Sequence, residues 1–281
     1  MAGFESRYVD VDGIRTHYLE AGRGPTVVLL HSGEFGGAAE ISWEFLIPAL
    51  APHFHVLAPD WLGFGRTDKV YDFTNPRGRV YRHMSRFCEV MGIGVADFIG
   101  NSMGGSNLAR IAAERPVILP IRSLVLASGG GFTPETPARK TLLAYDGTAE
   151  AMRALLHAML FDPKWGDDPA YVARRQEFAL MPGAYECAAA PRLKLPAAAA
   201  KGSGFGTPDA TRYEDIAVPT LIVAGAQDRL REPGYAPKLA ARVPDCEIHV
   251  LENCGHCPNI EIADRFNELV LRFLRRVHTK G

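Results

Sequence analysis

Gly100-Asn101-Ser102-Met103-Gly104-Gly105 is the stretch on which the fold turns. It follows the strand-like residues 95–99 and opens the helix-like residues 104–114. A serine set in G-x-S-x-G between a strand and a helix reads as a nucleophile elbow. The sharp turn strains Ser102 and pushes its Oγ outward. Small residues on either side let strand and helix approach without a Cβ clash. The helix N-terminus adds positive potential where negative charge would develop.

Working outward, short apolar runs bounded by Gly and Pro recur at 26–30, 55–58, 94–99, 121–127, 220–224 and 247–251. Continuous runs of this kind fit strands buried on both faces of a parallel sheet. Helical patterns lie between them at 42–50, 79–91, 104–114, 235–242 and 263–277. Pro116 helps to end the third of these. Strand alternating with helix predicts an α/β fold with a mostly parallel, doubly wound sheet. Ahead of it, residues 6–20 alternate around Asp12-Gly13 and predict an antiparallel hairpin.

One region breaks the alternation. Residues 132–213 offer helical patterns at 149–160 and 169–180 but no convincing strand. Pro-rich and Gly-rich joints flank them, Thr133-Pro134-Glu135-Thr136-Pro137 and Lys201-Gly202-Ser203-Gly204. The Ala run at 197–200 is too short to be a repeat. The expected organisation is a core of 1–131 and 214–281 interrupted by a helical lid, 132–213.

Three further motifs complete a candidate site. His31-Ser32-Gly33-Glu34-Phe35-Gly36-Gly37 follows the first buried run. A glycine-rich turn there can present a backbone N–H to an oxyanion, from Gly33 or Glu34, with a second from Met103. A Glu34 carboxylate would repel that oxyanion, so its side chain should point away or meet a polar substrate group. Asp228 sits in Ala224-Gly225-Ala226-Gln227-Asp228-Arg229 and His256 in Asn253-Cys254-Gly255-His256, each after a strand-like run. A serine hydroxyl needs an adjacent base, which His256 can supply. Asp228 can fix the imidazole tautomer and stabilise the imidazolium. Asp60, in Asp60-Trp61-Leu62-Gly63-Phe64-Gly65, also follows a strand, but it precedes the serine and its loop reads as structural.

Composition narrows the alternatives. The 281 residues carry a formal net charge of -1, which favours neither nucleic acid nor an acidic surface. Five cysteines, an odd number at low density, give no disulfide scaffold. Cys254-Gly255-His256-Cys257 lacks a second ligand cluster at zinc-like spacing, so no metal is expected. The N-terminal residues lack a signal-peptide apolar core and no apolar run approaches bilayer length. A cytoplasmic location without membrane attachment is the expectation.

Together, His31-Ser32-Gly33, the Asp60–Gly65 loop, the Ser102 elbow and Cys254-Gly255-His256 resemble α/β-hydrolases along almost the whole chain. Within that fold the chain is most similar to meta-cleavage product hydrolases, the carbon–carbon bond hydrolases of aromatic degradation. Asn101-Ser102-Met103-Gly104-Gly105 and the ending Glu261-Ile262-Ala263-Asp264-Arg265-Phe266 carry that likeness. The resemblance implies a Ser102, Asp228, His256 triad acting on a 2-hydroxy-6-oxohexa-2,4-dienoate. It implies no cofactor, a small-molecule substrate and a homodimer as the assembly to look for. It also implies a lid arginine gripping the carboxylate-bearing end of the substrate: Arg175, with Arg174 second. Asn101, Ser32 and Cys257 would line the substrate side. Cys257 departs from the Trp that many members carry after the histidine, and Glu34 departs from their glycine-rich pattern. Phe132, Leu155, Phe161, Trp165 and Phe178 are apolar candidates for the pocket, although core packing suits each one better. A carboxylesterase would share the triad, and a non-catalytic binding module would share the fold. A haloalkane dehalogenase is disfavoured because the elbow carries Ser102 in place of Asp.

Overall fold

Alternation of side chains along each strand decides the layers. In the computed structural model, which describes residues 3–192, 206 and 208–279, the strands are β1 (Glu5–Val11), β2 (Ile14–Ala21), β3 (Thr26–Leu30), β4 (His55–Pro59), β5 (Ala96–Asn101), β6 (Ile121–Ala127), β7 (Thr220–Gly225) and β8 (Cys246–Leu251). They form one sheet in the order β1-β2-β4-β3-β5-β6-β7-β8. β1, β2 and β4 pair antiparallel, and every pairing from β4 to β8 is parallel. The hairpin turns at Asp12 and Gly13, both at positive φ, as a two-residue hairpin with right-handed twist requires.

Val28, Leu30, Phe98, Leu124, Leu126 and Ile222 face one side of the sheet. There they meet α3 (Pro76–Val90), α4 (Met103–Ala113) and α10 (Tyr235–Ala240). Their neighbours Val27, Leu29, Ile99, Val125, Leu221 and Val223 face the other side. That face is covered by α1 (Ala39–Trp43), α2 (Leu46–Leu50) and α12 (Ala263–Thr279). α12 presents Phe266, Leu269, Val270, Phe273 and Leu274, the i, i+3, i+4 stripe of an amphipathic helix. Both faces being covered explains the continuous apolar runs of the central strands.

The structure departs from the sequence expectation at 42–50. Two short helices, α1 and α2, stand where one was predicted. Pro48 has no N–H to give the Glu44 carbonyl, so it must sit in a first turn, and α2 begins at Leu46.

Between β6 and β7 the described residues form α5 (Pro137–Leu143), α6 (Ala149–Met159), α7 (Lys164–Asp167), α8 (Pro169–Ala179) and α9 (Ala184–Ala189), and include no strand. Caps set their starts. Thr136, Thr148 and Asp168 accept the N–H of Arg139, Ala151 and Ala170. Met152, Leu155, Leu156, Tyr171 and Val172 bury a separate apolar cluster together with Phe35 and Leu230 of the sheet loops and Ile260 of α11 (Pro258–Glu261). The Ala run at 197–200 and the joint at 201–204 lie outside the described residues.

Candidate active site

Ser102 stands between β5 and α4 at φ 52° and ψ -109°, a conformation that costs a non-glycine residue about 1–3 kcal/mol. Its N–H donates to the Ala127 carbonyl at 2.8 Å, which helps to hold the turn. The glycines are a matter of space. A Cβ on Gly104 would lie 2.1 Å from the Leu30 carbonyl oxygen, and one on Gly100 would lie 2.4 Å from the Gly105 nitrogen. Alanine at either place would push the helix off the sheet and move Ser102 with it.

Two loops from distant parts of the chain complete the constellation. His256 Nε2 lies 2.7 Å from Ser102 Oγ, and His256 Nδ1 lies 2.7 Å from Asp228 Oδ2. The carboxylate fixes the proton on Nδ1 and leaves Nε2 free to accept from the hydroxyl. Burial alone would raise the Asp228 carboxyl. The His256 charge and hydrogen bond, the Arg231 charge and the Leu230 N–H outweigh it and hold the group below its ordinary value. The other Asp228 oxygen accepts that Leu230 N–H at 2.9 Å.

The histidine loop is itself clamped. Glu261 accepts the N–H groups of Gly255 at 3.0 Å, Cys257 at 3.0 Å and Phe161 at 2.6 Å. His256 N–H donates to the Met159 carbonyl at 3.0 Å. Asn101 Nδ2 reaches the carbonyls of Ala127 and His256, and Cys257 Sγ donates toward Asn101 Oδ1. Asn101 and Cys257 therefore tie the elbow to the histidine loop.

Ser102 and His256 open on a cavity of about 880 Å³. Gly33, Glu34 and Met103 line it too, and a Cβ on Gly33 would meet Met103 Sδ at 2.4 Å, so the two expected oxyanion segments are packed together beside Ser102. The four residues expected on the substrate side do not line the described cavity. Arg175, Asn101, Ser32 and Cys257 are all at most 1% exposed and lie behind the wall. Arg175 Nη2 is held instead by Glu34 Oε1 at 2.5 Å, while Arg174 pairs with Glu44 at 2.6 Å. Burial opposes the Glu34 charge, but Arg175 and Ser32 hold its carboxyl below the ordinary value. The apolar candidates Phe132, Leu155, Phe161, Trp165 and Phe178 are likewise off the lining, where Phe35, Leu142, Met159 and Leu230 stand.

Sequence reasoning missed Arg139 and Arg231, which do line the cavity. The available signal was position. Arg231 lies three residues beyond Asp228 in the same loop, and Arg139 lies in the first turn after the Pro-rich joint. Asp60 takes the structural role expected of it. It accepts the N–H groups of Ala39 and Arg66 and contacts His17 Nδ1 at 2.7 Å. His31 joins the same layer: Trp61 N–H donates to its Nε2, so Nδ1 carries the proton given to the Ser32 carbonyl. Among the described residues, no group of three or more His, Cys, Asp or Glu is placed to hold a metal, and no helix is long and apolar enough to cross a membrane.

A serine elbow opening on a cavity, with histidine and aspartate at hydrogen-bond distance on a sheet of this order, defines a hydrolase. The chain belongs to the alpha/beta hydrolase family, whose model matches residues 27–269. It is 31% identical to the 2-hydroxy-6-oxo-6-(2'-aminophenyl)hexa-2,4-dienoic acid hydrolase of Metapseudomonas resinovorans, covering 98% of this chain and 92% of the relative. It is 30% identical to the 2-hydroxymuconate semialdehyde hydrolase of Pseudomonas sp. (strain CF600), covering 95% and 93%. Among solved structures, it matches the meta-cleavage product hydrolase of Pseudomonas fluorescens IP01, a serine-to-alanine mutant complexed with acetates. The TM-score is 0.85 at 26% identity, covering 96% of this chain and 97% of that one.

Proposed function

We propose that this enzyme hydrolyses a carbon–carbon bond in 2-hydroxy-6-oxohexa-2,4-dienoate-type ring-fission products. The observation that carries the reading is the unbroken contact from Asp228 through His256 to Ser102 at a cavity wall, each link 2.7 Å. Full-length similarity to hydrolases of such dienoates supplies the substrate class.

In this reading His256 first assists conversion of the dienol to its keto form. Ser102 Oγ then attacks the 6-carbonyl and gives its proton to His256 Nε2. Backbone N–H groups of Met103 and of Gly33 or Glu34 hold the developing oxyanion. The carbon–carbon bond breaks, a 2-hydroxypentadienoate leaves with the proton, and an acyl-Ser102 remains. Water, activated by the same imidazole, releases the carboxylic acid and restores the serine. The helices α5 to α9 between β6 and β7 act as the lid. No cofactor enters these steps. Arg175 contributes through Glu34, whose position it fixes, and not by touching the substrate.

The test is the yellow colour of a ring-fission product. Loss of its absorbance at rates abolished by Ser102→Ala is expected. Unchanged colour across several 6-substituents, beside brisk turnover of simple esters, would replace the proposal with a carboxylesterase. The contact from Asp228 through His256 to Ser102 serves that second reading equally, because ester hydrolysis needs the same nucleophile, base and orienter.

A further inference from the structure

The cavity has two unlike sides. Strand order places β3 on one side of β5 and β6 and β7 on the other. The loop after β3 brings Glu34, whose charge is cancelled by Arg175. The segments after β6 and β7 bring Arg139 and Arg231. Arg231 is 5% exposed. Its guanidinium donates to the Ser128 carbonyl at 2.6 Å and the Phe132 carbonyl at 3.3 Å, and Nη2 lies 3.5 Å from Ser106 Oγ. All three are neutral. No carboxylate among the described residues comes within ion-pair distance, and Nε has no acceptor.

Beside it, Arg139 donates to the Pro134 and Leu230 carbonyls. Burial, with the Arg231 charge added, lowers Arg139 to about 10. The Asp228 charge offsets part of both, but its two oxygens are taken by His256 and the Leu230 N–H, which leaves Arg231 able to accept an anion in the cavity. A guanidinium suits this role because its planar donors match a carboxylate.

We propose that Arg231, with Arg139 beside it, forms an anion subsite on the β6–β7 side of the cavity that takes a carboxylate of the substrate. The inference rests on the cavity being the substrate chamber of a Ser102 hydrolase. The carboxylate is either that of the dienoate or one carried on the 6-substituent, and the experiment separates them.

Two ester substrates of matched shape test the subsite without assuming carbon–carbon cleavage: 4-nitrophenyl hemisuccinate, which is anionic, and 4-nitrophenyl 4-methylpentanoate, which is neutral. Two ring-fission products differing only in a terminal carboxylate or isopropyl on the 6-substituent test it within the proposed reaction. If the carboxylate lies on the substituent, the wild type prefers the anionic ester by about tenfold or more in kcat/KM, and Arg231→Leu removes the preference. The same variant then raises KM for the diacid alone. If the dienoate carboxylate is the ligand, Arg231→Leu raises KM for both ring-fission products. Arg231→Lys keeps the charge and should retain part of either effect, which guards against a variant that fails to fold. Failure to turn over any dienoate sinks the carbon–carbon reading and leaves the ester pair to decide the subsite. A wild type indifferent to ester charge, with KM for both dienoates untouched by Arg231→Leu, overturns the subsite. So does an anionic preference that survives Arg231→Leu.

Discussion

Asp228–His256 and Glu34–Arg175 are both buried contacts of a carboxylate with a nitrogen donor, at 2.7 and 2.5 Å, and both touch the same cavity. They differ in what the nitrogen partner does with its remaining atoms. The second nitrogen of His256 meets Ser102 at the cavity wall. The remaining Arg175 nitrogens Nε and Nη1 find no acceptor, and the residue stays off the lining. The first pair passes a proton in the proposed reaction, whereas the second sets the charge of a wall. A buried carboxylate contact is therefore read by its third partner and not by its length.

The largest effect should come from the first pair. Asp228→Asn leaves the shape of the loop but removes the acceptor that fixes the Nδ1 proton, so kcat should fall on the order of ten-thousand-fold with the fold intact. Steady-state kinetics beside a thermal melt checks this, and a loss below tenfold would break the contrast.

The second pair should answer in stability. Glu34→Ala leaves the Arg175 charge buried and alone, at a cost of about 3–5 kcal/mol. The double change Glu34→Leu, Arg175→Leu should recover most of that, since apolar replacement of a whole buried pair is often near neutral. Urea unfolding of the single and double variants reads both. A double variant as unstable as the single one would show that the pair does more than cancel its own charges.

Acid sharpens the comparison further. Glu34 in the fold titrates below its ordinary 4.5, and Asp228 below its ordinary 3.8. Each therefore stabilises the fold fully above its ordinary value, and that stability is lost as pH falls through the lower folded value. Below about pH 5 the wild type should gain stability with rising pH, and Glu34→Gln should flatten part of that slope. An unchanged slope would remove Glu34 from the account.

The smallest effect concerns the turn between the two pairs. Ser102→Gly abolishes the proposed nucleophile yet should stabilise the fold by about 1 kcal/mol, because glycine adopts φ 52° without the Cβ penalty. A calorimetric Tm at or below that of the wild type would show that the strain is not borne at this residue.

Much of the scaffold was legible along the chain. The elbow glycines, the hairpin at Asp12-Gly13 and the six apolar runs each express a constraint that acts over a few residues. Boundaries shifted where a local rule had been overlooked, as at Pro48. The wall of the cavity was far less legible. Arg175 was expected at the substrate and lies behind Glu34, a partner 141 residues away. Arg231 passed unnoticed beside Asp228, and Glu261 stood in a tail valued only for its likeness to relatives.

By itself, then, the sequence determined the alternation of strand and helix, the strained serine between glycines and the chain order Ser102, Asp228, His256. Backbone sterics and side-chain period act between near neighbours and leave their pattern in the linear text. Only the tertiary structure decided which buried charge meets which: Glu34 with Arg175, Glu261 with the histidine loop, and Arg231 with no carboxylate among the described residues. Those pairings depend on how loops from separate strands close over one sheet edge, and no periodicity in the chain encodes that closure.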